Sequence, residues 1–301
     1  MTVIPVSCSC CKNTEATVLY SGLNSVYTSK PYSVAICTRC SNGITYPTVN
    51  KAELNQIYSE TYLYPVHLLA LGEKKYRARA MANFIKQNSP ANTHPKVLEV
   101  GCMFGYLLQS LQEEYKVKGI DIGRDAVKYC RNHGLDVDDM SIENFIANSN
   151  EKFDVIVLSH VLEHLLKPDE VMLDLQNHLN PGGMIYILVP NYKSISPKIF
   201  GKYWGWWQVP VHINHFNEQS LSELANSSGY KKTHIRIKGG DSLMLLLNFI
   251  NLFSFRNNNK EPGFFQKMVI GFFTKIFRYW YLLGNEELTI VLKKKQMKRF
   301  N

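Results

Sequence analysis

Five of the seven cysteines fall between positions 8 and 40, and four of these form two C-x-x-C pairs, Cys8/Cys11 and Cys37/Cys40, with 25 residues between the pairs. Two such knuckles can supply four thiolates in tetrahedral array, the arrangement of a closed structural zinc site. Gly22 and Pro31, with the β-prone stretches TVLY and YSVAIC, predict a small ribbon of strands around it. Cys10 is an extra thiol that could replace Cys8 or Cys11, although a C-x-C bite fits a zinc knuckle less well. Reduced cysteines packed in a β core are the competing reading. A region this short has little apolar core and gains more from a metal, so one structural zinc per chain is expected.

The second chemical group lies in LEVGCMFGYLL (98–108) and at Asp121. Gly101 permits a sharp exit from a strand, and Gly105 lets the next helix pack closely while backbone N–H groups face a ligand. Asp121 follows Glu99 by 22 residues. A carboxylate at the tip of a strand is placed to accept hydrogen bonds from both hydroxyls of a ribose.

These residues need a scaffold, and from residue 96 the chain alternates short apolar runs with helix-like stretches. VLEV (97–100), VKGIDI (117–122), FDVIVL (153–158) and MIYILV (184–189) read as strands. Gly105–Tyr115, Arg124–His133 and Pro168–Leu179 read as helices, the second closed by Gly134 and the third by Asn180, Pro181, Gly182 and Gly183. Alternation of this kind predicts an α/β fold, a parallel sheet with helices on both faces. KKTHIRI (231–237) and ELTIVLK (287–293) read as the last two strands.

With 301 residues, 45% of them hydrophobic and 20% charged, the composition excludes a disordered or fibrous chain. The net charge of +9 is spread unevenly, with a mildly acidic middle between two basic wings. Such wings suit an anionic partner. The first ten residues lack a secretory pattern and no segment reaches the ~18 uninterrupted apolar residues of a membrane span. Cytoplasmic residence is therefore expected, and the paired cysteines agree with it.

Glu99 ahead of Gly101, then Asp121, FDVIVLSHVLEHL and LNPGGMIYILVPN, in that order, resemble the class I S-adenosylmethionine-dependent methyltransferases over roughly residues 96–238. The resemblance implies their Rossmann-like seven-stranded sheet, with residues 231–237 and 287–293 as an antiparallel hairpin. It implies that Glu99, Gly101, Cys102, Met103, Phe104 and Gly105 surround the methionine part of S-adenosyl-L-methionine and that Asp121 holds its ribose. Ile122 would flank the adenine, with Met140, Ser141 and Ile142 on its other side. Ser159 and His160 would sit near the sulfonium and the acceptor. The family loop usually has a third glycine where this chain has Met103, and a small residue where it has Phe104. A Rossmann dehydrogenase competes for the fold, but the loop lacks G-x-G-x-x-G spacing.

GKYWGWWQVPVHINHF (201–216) concentrates three of the four tryptophans. The segment resembles that of a bacterial methyltransferase subgroup with a zinc-ribbon front end, often associated with sugars and surface polysaccharides. That implies a sugar or surface-glycan precursor as acceptor, with Tyr203, Trp204, Trp206 and Trp207 as an aromatic wall against the ring. The same four side chains would equally make a plug in a hydrophobic core. The subgroup often has an Arg where this chain has Val211. An imidazole can take the proton of a hydroxyl acceptor, which makes His212, His215 and His160 candidates, His215 preferred by the resemblance. Each could equally be structural; Glu163 and His164 are expected to orient their loop. In the basic stretch 72–87, Arg79 is the candidate partner for the cofactor carboxylate.

The expected organisation is a zinc-ribbon-like module (1–50), a helical linker or lid (51–95), a cofactor-binding core (96–240), an amphipathic helical insertion (241–285), and a last strand with a basic tail (286–301). Apolar residues at helical spacing in 264–283, with Lys267, Lys275 and Arg278 among them, leave three roles open: a lid, a homodimer contact, or peripheral contact with an anionic membrane at its inner face. The rival functions are an RNA or small-metabolite methyltransferase and a non-catalytic scaffold. No basic stripe interleaves the aromatics, so a nucleic-acid partner is not expected.

Overall fold

The computed structural model describes residues 2–61, 71–89, 94–238, 242–253 and 285–295, together with Met268, Phe272 and Ile276. The amphipathic stretch 264–283 lies outside these residues apart from Met268, Phe272 and Ile276, which are helical and exposed. The end of the basic tail is also outside them.

Four N-terminal strands, β1 (Val3–Pro5), β2 (Glu15–Asn24), β3 (Pro31–Cys37) and β4 (Gly43–Tyr46), form an antiparallel ribbon. Two helices follow, α1 (Lys51–Thr61) and α2 (Leu71–Asn88). The main sheet then takes β5 (Lys96–Val100), β6 (Lys116–Asp121), β7 (Val137–Asp139), β8 (Phe153–Ser159) and β9 (Leu179–Pro190), with α3 (Tyr106–Leu111), α4 (Arg124–Asn132), α5 (Ile142–Asn148) and α6 (Pro168–Asp174) between them. After β9 come α7 (Ile195–Phe200), β10 (Asn214–His215), α8 (Glu218–Ser227), β11 (Tyr230–Lys238), α9 (Ser242–Phe253) and β12 (Glu287–Lys294).

The main sheet has seven strands in the order β11-β12-β9-β8-β5-β6-β7. β12 runs antiparallel to both β9 and β11, and the remaining pairs are parallel. The fold expectation is therefore met, including the C-terminal hairpin. Alternation within β8 shows why the strands are apolar throughout. Val155 and Val157 join a core with Met81, Ile85, Leu107 and Leu111 of α2 and α3. Ile156 and Leu158 face the opposite layer with Phe145, Met172 and Leu224 of α5, α6 and α8. Strand order reverses at β5, so a crevice opens beyond the carboxyl end of that strand, where ligands of such sheets bind.

Several elements differ in extent from the sequence reading. α3 stops at Leu111, α6 stops at Asp174 and continues as a short 3-10 turn (Leu175–His178), and β9 begins at Leu179 and takes in the NPGG turn. β7, α5 and β10 are too short to show periodicity.

β10 couples the two sheets. It pairs with β4, bringing His215 opposite Gly43. A Cβ on Gly43 would lie 2.7 Å from the His215 Cβ, so the close approach requires glycine. Buried Asn214 clasps both parts: its Oδ1 accepts from Ser9 Oγ at 2.6 Å and its Nδ2 donates to the Leu165 carbonyl at 2.8 Å. α9, the described part of the C-terminal insertion, packs Met244, Leu245 and Phe249 into a core with Phe200 and the three adjacent tryptophans.

Candidate functional site

The loop after β5 is shaped by backbone hydrogen bonds. The Gly101 and Cys102 N–H groups donate to the Ile120 carbonyl at 2.8 and 3.3 Å, and Gly105 N–H donates to Cys102 O at 2.8 Å. Gly105 has φ +65, and a Cβ there would overlap the Leu135 side chain and come within 3.1 Å of Cys130 Sγ. Met103 takes φ 48 without being glycine, and its carbonyl accepts from Cys130 Sγ at 3.1 Å. Phe104 is buried edge-on against Tyr129, ring centroids 5.1 Å apart.

Asp121 is buried at the tip of β6. Its Oδ2 accepts from Met103 N–H at 2.8 Å and its Oδ1 from Gly123 N–H at 2.7 Å, so the carboxylate is held still with lone pairs to spare. Burial raises its pKa, against the pull of those two donors. Glu99 is also buried, its Oε2 has no hydrogen-bond partner among the described residues, and burial followed by nearby negative groups pushes its carboxyl well up. An orphaned acidic oxygen beside the loop suits a ligand that brings donors.

Both carboxylates open on a cavity of about 790 Å³. Ile122, 49% exposed, Met140, Ser141 and Ile142 line the same end, the Ser141 side chain accepting from Asn144 N–H at 3.3 Å to cap α5. Ser159, His160, Tyr58, His164, Trp206 and His212 line the other end. The cradle thus fits the adenosine and methionine parts of S-adenosyl-L-methionine at one end and leaves room at the other for an acceptor.

His160, at φ 55, lies between two carboxylates, its Nδ1 3.3 Å from Glu163 Oε1 and its Nε2 3.3 Å from Glu287 Oε1. Burial pulls the imidazole toward neutrality, but the two carboxylates outweigh it and raise the pKa to about 9. His160 is therefore a cation at neutral pH and not a proton acceptor, which corrects one candidate base. Trp206 stacks on its face at 4.9 Å, 2° from parallel.

His164 and His212 are the reverse case. His164 Nδ1 lies 3.0 Å from the Val211 carbonyl and 3.0 Å from Tyr58 Oη, and His212 Nδ1 lies 2.7 Å from the Trp206 carbonyl. A carbonyl only accepts, so His212 carries its hydrogen on Nδ1 and keeps Nε2 as a lone-pair site; the same tautomer suits His164, whose Nδ1–H is then shared between the Val211 carbonyl and Tyr58 Oη. Burial lowers both pKa values, which leaves the rings neutral.

Other candidates fall elsewhere. His215 is absent from the cavity wall. It sits 3.0 Å from Thr45 Oγ1 beneath the Trp207 ring, and burial holds its pKa at about 3. Its place in the ribbon sheet, opposite Gly43, draws it away. Arg79 is exposed on α2, while Arg77, two residues and about 200° away around the helix, lines the cavity and contacts Glu287. Trp204 and Trp207 are buried edge-to-face, and Trp206 has His160 on one neighbouring ring and His212, nearly parallel at 6.1 Å, as another. The tryptophans therefore form a buried wall of the cavity, with little free ring face. Half-buried Tyr203 lines the cavity rim.

Cys8, Cys11, Cys37 and Cys40 converge, with ligand atoms all within 4.8 Å of one another. Cys8 and Cys40 Sγ are 3.5 Å apart, as are Cys11 and Cys37 Sγ, and all are free thiols. Cys10 is buried beside the group without belonging to it.

The residues that sequence reasoning missed are Arg77, Tyr58 and Glu287. Of these, only Arg77 carried a signal, as part of the basic stretch already singled out.

A family model described as a methyltransferase domain matches residues 74–235, more than half of the chain. The chain belongs to this methyltransferase domain family. A ubiquinone biosynthesis O-methyltransferase of Pasteurella multocida is 31% identical over 125 residues, 36% of this chain and 52% of that protein. One of Hydrogenovibrio crunogenus is 31% identical over 159 residues, 48% of this chain and 66% of that protein. The chain spans about half to two thirds of the length of these curated relatives. Among solved structures, a SAM-dependent methyltransferase from Archaeoglobus fulgidus aligns at TM-score 0.50 and 20% identity, over 74% of this chain and 98% of that one. A methyltransferase from Bacillus halodurans, described as putative, aligns at TM-score 0.50 and 13% identity, over 72% of this chain and 100% of that one. These likenesses show the class I methyltransferase fold. No helix among the described residues is long and apolar enough to cross a membrane.

Proposed function

We propose that this protein transfers a methyl group from S-adenosyl-L-methionine to a hydroxyl of a sugar or surface-glycan precursor. The observation that carries the reading is that one cavity joins Glu99 and Asp121, oriented for a nucleoside with an amino-acid tail, to the lone-pair sites of His164 and His212. When bound, the cofactor supplies an electrophilic methyl group. The chain's own part is alignment. Asp121 fixes the ribose, Glu99 accepts from the methionine end, and buried Trp206 with α9 screens the transfer site from water.

The ubiquinone biosynthesis O-methyltransferases to which the chain is similar methylate oxygen, and neutral imidazoles suit a hydroxyl. The polar groups around His164 and His212 support a polyhydroxylated acceptor. In the ribbon, we propose that the four thiolates hold one structural zinc. Transfer of a labelled methyl group to a panel of sugar nucleotides and glycan precursors, with nuclear magnetic resonance of the product, tests the reading. An O-methyl ether on a sugar supports it; label on a nucleic acid or on nitrogen contradicts it.

A further inference from the structure

Glu163, His164 and His212 come from two separate segments, yet one ligand atom of each lies within 4.8 Å of the others. Ligand atoms that share one ion at about 2.0–2.2 Å lie about 3–4 Å apart, so shortening these separations by no more than about 2 Å would close a shell around a cation.

Three features of the group go beyond proximity. The Glu163 side chain is 1% exposed, and neither carboxylate oxygen has a hydrogen bond among the described residues. A carboxylate buried in that way is costly unless a cation or donors meet it, and among the described residues the basic group it faces is His160 at 3.3 Å, which Glu287 shares. Both histidines donate Nδ1–H to backbone carbonyls, Val211 and Trp206. That outer contact fixes tautomer and ring orientation in metal-ligating histidines and leaves Nε2 for the ion. Finally, the segments are anchored to each other, because Ile213 N–H donates to the Glu163 carbonyl at 2.8 Å and the two rings meet edge-to-face at 4.6 Å. His164 and His212 line the cavity, so an ion there would face the acceptor space.

We propose that Glu163, His164 and His212 bind one divalent first-row cation at the acceptor end of the cavity, and that its open positions take oxygen atoms of the acceptor. Two imidazoles and one carboxylate suit manganese, iron, cobalt or zinc, and differ in kind from the four thiolates of the ribbon. The second half of the proposal rests on the methyl-transfer reading. The cation would hold a hydroxyl oxygen in place and make that hydroxyl more acidic, its proton passing to water at the cavity mouth as the methyl carbon leaves the cofactor sulfur for that oxygen. His164 and His212 would then serve as ligands and not as proton acceptors. Vicinal oxygen pairs would be preferred, since they can occupy two open positions together.

The test uses the full chain loaded with zinc and titrated with Mn2+ in the absence of acceptor. Wild type is expected to bind one Mn2+ beyond the zinc. Pulsed electron paramagnetic resonance of that Mn2+ should show nitrogen coupling from imidazole. Glu163→Gln and His212→Ala are each expected to weaken Mn2+ binding at least about tenfold, with S-adenosyl-L-methionine affinity and zinc content retained. The spectrum of wild type carries the test alone if a variant fails to fold. Absence of a second bound cation, absence of nitrogen coupling, or equal affinity in folded variants would overturn the site. Methyl transfer that proceeds in the presence of a chelator, with zinc still in the ribbon, would overturn the role in acceptor binding while leaving the methyl-transfer reading intact.

Discussion

Arg77 Nη2 lies 2.6 Å from each carboxylate oxygen of Glu287, a two-pronged ion pair that ties the helix before the sheet to the sheet's antiparallel last strand. Glu287 Oε1 also faces His160 Nε2 at 3.3 Å. One buried carboxylate therefore links three parts of the chain that are far apart in sequence, and it does so at the wall of the cavity. Burial alone would raise the pKa of Glu287. Arg77 and His160 outweigh it and hold the carboxyl at about 2.

Replacing Glu287 by Gln should destabilise the protein by about 3 kcal/mol, the low end for removing one partner of a buried pair, because Arg77 remains partly hydrated. Urea unfolding of wild type and variant checks this. A loss below about 0.5 kcal/mol would assign the pair no more weight than a surface ion pair.

The same residue sets an acid limb. Its folded pKa is below its unfolded value, so its contribution is present above the unfolded carboxyl pKa of 4.5 and is lost as pH falls from there toward about 2. The urea midpoint of wild type should therefore fall on acidification from about pH 6 to about pH 3.5, and fall less steeply in Glu287→Gln. Parallel slopes would contradict the assignment.

Metal analysis of protein purified without added zinc should find about one equivalent bound by the thiolates of Cys8, Cys11, Cys37 and Cys40. Cys37→Ser should lower that content and loosen β4, and with it the β10 strand that β4 pairs. Cys10→Ser should retain the zinc, since Cys10 lies outside the converging group. Zinc retained in Cys37→Ser and lost in Cys10→Ser would exchange their roles.

The parts of this molecule that follow local rules could be read from its residues. Paired cysteines, glycines that bracket a strand-to-helix turn, and Asp121 at a strand tip each encode their own geometry. The parallel strands are apolar runs because both faces are covered. What could not be read depends on contacts between distant segments. His212 and His215 sit three residues apart in one motif, yet only His212 reaches the cavity, because β10 pairs with β4 and carries His215 beneath Trp207. Arg77 and Arg79 look equivalent until the helix is docked and only one of them faces Glu287. The protonated state of His160 rests on carboxylates 3 and 127 positions away, and no local pattern records the second.

Cofactor binding by the cradle of Glu99, Gly101–Gly105 and Asp121 underlies every role assigned to the cavity. Calorimetric titration of the full chain with S-adenosyl-L-methionine measures this. The prediction is one site per chain with a dissociation constant of about 100 µM or tighter. In Asp121→Ala it should weaken at least about tenfold, as expected for losing a charged acceptor worth ~1.5–3 kcal/mol per hydrogen bond. A wild-type dissociation constant weaker than about 1 mM, or equal binding by the folded variant, would contradict the central claim.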